Sequence, residues 1–416
     1  MYLKRRLTLN KRLSIVKVSL IFSIFTISII TIAQLSFGLM WSVDLVDSTG
    51  NANSFSSIVL DSDGNPHISH YDSENQALKY SVKSGDTWTF ETVASTGNVG
   101  HYSSLALDSS GNPHISYYDR TGRDLKYAVK SGDTWTIDTV DSTGDVGSFA
   151  SLALDSSGNP HISYHDRTGR DLKYAVKSGG IWTIDTVDLD GNIGSHASLA
   201  LDSSGNPHIS YHDYTNRDLK YAVKSGGSWS VEIAASFEEV GSHTSLALDS
   251  SGNPHISFYD ATNEDLKYTV KSDNEWSFEI VNSDDTIGSY SSLALDSSGN
   301  PNISHYSRSS GGGFNSTHDL TNAVKSNGNW TLEIIESAGN VGLRTSLVLD
   351  SSDNIHISYF TRGSAGDLRY IVSAPDEFVI PPFVYAVIIV IILLVLYLFI
   401  RRRRNRSEDT SDLVVE

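Results

Sequence analysis

Seven positions spaced through the chain hold Phe55, Tyr102, Phe149, His196, His243, Tyr290 and Arg344. A second set holds Tyr71, Tyr118, His165, His212, Tyr259, Tyr306 and Phe360. Beside these stand Asp72, Asp119, Asp166, Asp213 and Asp260, then Ser307 and Thr361. Aromatic faces stack on flat apolar surfaces, imidazoles carry protons or zinc, and guanidinium and carboxylate groups hold opposite charge. Such groups on loops over a rigid scaffold make binding sites. The candidate ligand-binding residues are therefore Tyr102, His165, Asp166, His196, His212, Asp213, His243, Tyr290 and Arg344. The alternative is that the Tyr and His residues pack between repeated elements and keep only their polar tips wet.

His165, His196, His212 and His243 are the better zinc candidates, because they do not recur in every copy. His67, His114, His161, His208, His255 and His356 do recur at one repeat position, where the remaining copy has Asn302. A metal needs one site, so that recurrence reads as strand packing. Asp61, Asp63 and Asn65 suggest a calcium loop, but most copies hold Ser where Asp63 stands. The same turn needs Asp, Gly and Asn for its backbone alone. No Ser-His-Asp order or paired-Glu motif stands out. No catalytic residue, cofactor or metal is expected. The chain has no Cys, which excludes a disulfide framework, a thiolate metal site and a lipid anchor on an N-terminal cysteine.

The elements that must hold these residues follow from a repeat. The seven Trp stand at 41, 88, 135, 182, 229, 276 and 330, with gaps of 47 throughout and 54 at the last. A fixed period of this size signals a repeat architecture. Residues 102–140 show the unit, YSSLALDSSGNPHISYYDRTGRDLKYAVKSGDTWTIDTV. Four strands fit inside it: SSLALD (A), HISYYD (B), DLKYAVK (C) and WTIDTV (D). In strand C, Leu125, Tyr127 and Val129 share one face, while Lys126, Ala128 and Lys130 share the other. Seven such units stacked radially protect their sheet edges, which predicts an all-β, seven-bladed propeller. Residues 41–47 form a D strand with no A, B or C before it. The last unit has A (345–350), B (356–361) and C (367–373) but no D, so the N-terminal strand is expected to close the ring.

Up-and-down strands put the A–B and C–D turns on one face and the B–C and D–A loops on the other. The A–B turn is nearly constant, while the opposite face varies. The first set of residues lies where the innermost strand begins, at the mouth of a central channel. The B–C loop of unit six, SRSSGGGFNSTHDL, carries seven extra residues. Asn302, Asn315 and Asn329 head glycosylation sequons.

LDSSGNPHISYYD resembles the strand-turn-strand core of NHL-type propeller repeats. Ser84, Asp86, Thr87 and Trp88 resemble a compressed Asp box of sialidase-like propellers, lacking its second Gly; residues 224–229 drift further. The resemblance covers 41–373 and implies fold rather than activity. A sialidase would need three converging Arg with a Tyr–Glu pair. Arg120 and Arg167 are copies of one position, and Arg123, Arg170 and Arg217 of another. They are expected to point outward around the ring, which leaves only Arg344 unmatched at the channel mouth.

Formal net charge is −18, yet residues 1–17 carry six Lys or Arg and no acid. Residues 34–382 hold 20 basic and 45 acidic side chains, a surface that repels nucleic acid. The basic start and the apolar run 18–33 read as a secretory signal over 1–33, or as an uncleaved signal anchor. Residues 374–382 form a linker. Residues 383–400, FVYAVIIVIILLVLYLFI, span about 27 Å as a helix, close to a bilayer core. Arg401–Arg404 and Arg406 then place the tail 401–416 in the cytoplasm. The expectation is a single-pass cell-membrane protein with an extracellular propeller. Its partners would be the membrane and an extracellular glycan or protein ligand. Its role would be a non-catalytic binding or adhesion module, with carbohydrate first among ligands. A sialidase-like glycoside hydrolase and a structural surface-layer component are the alternatives.

Overall fold

The computed structural model describes residues 40–48, 55–283, 289–308, 318–337, 339–362 and 366–374, together with Tyr397. The expected signal, linker, membrane span and tail, the loop insertion of unit six and the sequon at Asn315 lie outside these residues, Tyr397 and Ala374 excepted. Among the described residues no helix is long and apolar enough to cross a membrane. One compact unit runs Trp41–Ser373; a second groups Met1–Met40 with Ala374–Glu416.

The first compact unit is all-β. Unit three shows the local logic, with strands Val146–Leu154, Pro160–Asp166, Asp171–Ser178 and Ile181–Asp188 pairing antiparallel in chain order. The A–B turn closes on Asp155, whose Oδ1 accepts the Ser157 and Asn159 N–H groups at 2.8 Å each. Gly158 takes φ +78° there, which only Gly adopts freely. The same bonds recur in every A–B turn, including Asp61 with Asp63 and Asn65, so the carboxylate of the suggested calcium loop is engaged by the turn itself.

Five four-stranded sheets are separate, and the remaining eight strands form one sheet in which units six and seven are bridged by a single parallel pair, His318 with Asn340. The N-terminal strand Met40–Asp47 pairs with Leu368–Ala374, the last C strand. It supplies the fourth strand of unit seven. Between neighbouring A strands, Ser57 Oγ accepts the Leu105 N–H at 3.1 Å and Ser104 Oγ the Leu152 N–H at 3.0 Å. The series continues through Ser151, Ser198, Ser245 and Ser292, and Ser346 Oγ accepts the Ile58 N–H at 3.2 Å. That last bond closes a ring of seven units.

The core lies between units. Leu78, Tyr80 and Val93 of unit one pack with Val99, Leu105, Ile115, Tyr117 and Ala128 of unit two. The recurrent histidines belong to this layer: His114 Nδ1 meets the Tyr127 hydroxyl at 2.5 Å, and its Nε2 faces Asp108 at 3.7 Å. Burial lowers its pKa, so it is neutral near pH 7. Unit six replaces both partners together, with Asn302 and Asn322.

At the rim a carboxylate clamps each unit to the next. Glu91 accepts from Lys130 Nζ at 2.5 Å and from Trp135 Nε1 at 2.9 Å. Asp44 of the N-terminal strand does the same for Lys83 at 2.6 Å and Trp88 at 3.2 Å, and Trp41 Nε1 donates to Glu333 at 3.0 Å.

Candidate functional site

Strand A begins earlier than its sequence pattern suggests. In unit two it starts at Val99, and its pairing with strand B shifts register between Val99 and His101 and again between His101 and Ser104. Gly100 makes the entry possible. Its φ is +105°, and a Cβ there would lie 2.8 Å from the Leu78 Cα of the preceding unit. The bulge then carries Tyr102 out of the ladder at φ +52°. Phe149 and His196 (54° each), His243 (54°), Tyr290 (59°) and Arg344 (53°) share that left-handed backbone. Six non-glycine residues in this region represent strain of about 1–3 kcal/mol each, held by the surrounding fold. Bulges commonly re-aim side chains beside functional sites.

The re-aimed side chains meet at the axis. Ring centroids are 4.4 Å apart from Phe55 to Tyr102, 4.6 Å to Phe149, 4.5 Å to His196, 4.2 Å to His243 and 4.3 Å to Tyr290. The Arg344 guanidinium completes the circle, 5.0 Å from the Tyr290 centroid and 3.8 Å above the Phe55 ring. Seven side chains, one per unit, thus form an iris. They line a recess of about 160 Å³ with Ser56, Ser103, Ala150, Ala197, Thr244, Ser291 and Thr345 behind them. No carboxylate is among the lining residues.

Near neutrality Arg344 is the cation of the recess and its imidazoles are uncharged. Burial pushes the His243 imidazole down to about 3, with the charge of Arg344 adding to it. Burial also holds His196 well below its ordinary value, helped by His243. Both are neutral hydrogen-bonding groups at pH 7. Burial lowers the Arg344 pKa as well, and its Nη1 is shut from water with no hydrogen-bond partner. Arg167 leans inward, contrary to the sequence expectation, donating from Nη2 to the Tyr102 hydroxyl at 3.2 Å. Its guanidinium sits 6.0 Å from the Tyr102 ring and 5.5 Å from Tyr118, because the cation is drawn over their faces.

Of the sequence candidates, Tyr102, His196, His243, Tyr290 and Arg344 come together in this recess. His165, Asp166, His212 and Asp213 do not line it, and all four are buried. Asp166 Oδ1 accepts the Thr168 and Gly169 N–H groups, and its Oδ2 pairs with Lys173 at 2.8 Å. Asp213 is held likewise by Thr215, Asn216 and Lys220. These carboxylates are engaged by the backbone of their own B–C loops and by a lysine each. Burial sets His165 to about 4. Among the described residues no group of three or more His, Asp or Glu converges on a metal position. Asn302 is a buried strand residue that offers no room for a glycan, whereas Asn329 is exposed.

Two features escaped the sequence reading. His101 stacks 4.0 Å from Tyr71, and burial with the charges of Arg120, Arg167 and Arg344 pushes it down to about 4. Its signal was available, since the position before each iris residue is Ser in five copies, Leu343 in one and His101 in the other. The position after strand B is also Arg in four of seven copies, at 120, 167, 308 and 362.

No family model and no curated protein matches the chain. The resemblance to NHL-type and Asp-box repeats thus rests on the motif residues alone, and Asp86 of the Asp-box-like segment is an exposed turn residue. Solved structures do match. A fungal alcohol oxidase of the AA5 family in complex with copper is 11% identical with a TM-score of 0.55, over 81% of this chain and 76% of that one. Polysaccharide lyase Uly1 is 10% identical with a TM-score of 0.51, over 77% and 90%. AofleA from Arthrobotrys oligospora is 13% identical with a TM-score of 0.50, over 73% and 91%. At such identity the likeness is one of fold, a propeller-like array of four-strand sheets that hosts unlike proteins.

Proposed function

We propose that the chain is a cell-surface propeller that binds carbohydrate without transforming it, anchored by residues 383–400. The observation that carries the reading is the iris: six aromatic rings and one guanidinium converge on a recess, six of the seven from left-handed backbone. Aromatic faces bind the apolar faces of sugar rings, and the Tyr hydroxyls with neutral imidazoles supply donors and acceptors for sugar hydroxyls. A polysaccharide lyase is among the structures of like fold, which makes carbohydrate the first class to test. Most glycoside hydrolases use two carboxylates and a sialidase would need three converging Arg with a Tyr–Glu pair; the recess lining holds one Arg and no carboxylate, which favours binding over hydrolysis. The apolar span and the arginines after it support the anchored topology. A glycan array probed with the purified chain is expected to give a defined set of positive glycans. A blank array from folded protein overturns the reading and favours a purely structural surface component.

A further inference from the structure

We propose that the axial recess is a subsite for the carboxylate of a terminal acidic sugar, with Arg344 as its anchoring cation. The proposal rests on the carbohydrate reading above and narrows it. Arg344 is the one cation in an iris otherwise built of neutral rings. Among the described residues it has no ion pair, and its Nη1 is buried without a hydrogen-bond acceptor. A half-buried guanidinium that meets only ring faces and no carboxylate is incompletely compensated, and a bound anion relieves it. Its contact with Phe55 at 3.8 Å holds the guanidinium against a ring face. That contact fixes the plane in which its remaining N–H donors lie and favours a planar, two-oxygen acceptor. His196 and His243, kept neutral in the recess, do not compete as cations and leave the positive charge to the arginine.

The surroundings add to this. On the side of units one to three, arginines gather near the mouth: Arg167 bonds Tyr102, and the charges of Arg120, Arg167 and Arg344 all reach His101. Size sets the mode of entry. About 160 Å³ equals the liquid volume of roughly five waters, room for a carboxylate and part of one sugar ring. A space of that size takes one group rather than a stretch of polymer, which favours a chain end.

Glucuronic acid and glucose differ by one carboxylate and give the direct test. Titrated into the purified full-length chain at neutral pH, glucuronate is expected to bind about ten-fold more tightly than glucose, the value of one charge-assisted pair. Arg344→Gln should abolish that preference while leaving the melting temperature in place. Raising salt from about 0.05 to 0.5 M should weaken glucuronate and not glucose, a readout that needs no variant. Equal affinity for the two sugars, a preference that survives in folded Arg344→Gln, or a salt-insensitive preference overturns the carboxylate subsite. If neutral glycans bind on the array and glucuronate does not, the subsite falls while the carbohydrate reading stands; if no glycan binds, both fall. A short peptide with a free C-terminal carboxylate that outcompetes glucuronate overturns the sugar assignment.

Discussion

Tyr102 and His243 illustrate how much one residue's setting departs from its type. Neither is Gly or Asn, yet each sits at positive φ, and the imidazole of His243 is held down to about 3 by burial. The sequence could place these residues at the channel mouth, since they recur at the start of strand A. It could not show the bulge, because no special residue marks the bulged position itself. Burial was equally invisible at Asp166 and Asp213, which looked like loop carboxylates and instead cap their own turns. The histidines give a prediction with a definite sign. His101, His165 and His305 fall to about 4 in the folded chain, and His243 to about 3, against about 6.5 when unfolded. Below pH 6.5 the unfolded chain therefore gains protons that the native chain refuses, and stability drops as pH falls. Against the opposing effect of burial, the turn carboxylates, as at Asp108 and Asp155, are held below the ordinary carboxylate value by the turn hydrogen bonds they accept, and extend the loss at lower pH. The melting temperature should be level from about pH 7 to 8 and decline steadily from about 6.5 to 4. A melting temperature that rises between pH 6.5 and 5 contradicts these assignments.

Strands are where the sequence was most legible, because period-two patterning, Asp-Gly-Asn turns and a Trp every 47 residues all act locally. The rim clamps were not, since each links strands of different units, 39 to 51 residues apart in most copies. Trp135 donates to Glu91, while Trp276 Nε1, in the equivalent place, has no hydrogen-bond partner. Trp135→Phe should therefore cost about 1.5–3 kcal/mol more than Trp276→Phe in denaturant unfolding, the worth of one bond to a charged acceptor. Equal costs would show that the clamp adds nothing beyond packing. The closing strand carries more. Removing residues 40–47 exposes the edge of strand Leu368–Ala374 and strips partners from Glu333, Lys83 and Trp88. Because repeat units share stability with their neighbours, a large fall in melting temperature or aggregation is expected. An unchanged melting curve would mean that the ring does not depend on its N-terminal strand.

At the scale of the whole molecule, closure was readable because an orphan D strand at one end matches a missing D strand at the other. Ligand identity was not, since copies of one unit report what the fold needs more clearly than what a site selects. Topology is testable apart from the ligand. Protease added to intact cells should cut within 374–382 and release the propeller, while a tag placed after Glu416 stays protected; a tag accessible from outside reverses the orientation. The central claim is that ligand enters through the iris rather than through the constant A–B turns. It is tested by the affinity of two variants for whichever glycan the array selects. Changing Tyr290 and Arg344 to Ala should weaken binding by about 1–3 kcal/mol with the melting curve little altered. Changing Asp108 and Asn112 to Ala removes the bonds that build a turn, at 2.8 Å each, and should lower stability while the folded fraction binds as before. Normal affinity in the iris variant together with lost affinity in a fully folded turn variant would place the site on the opposite face and contradict the account.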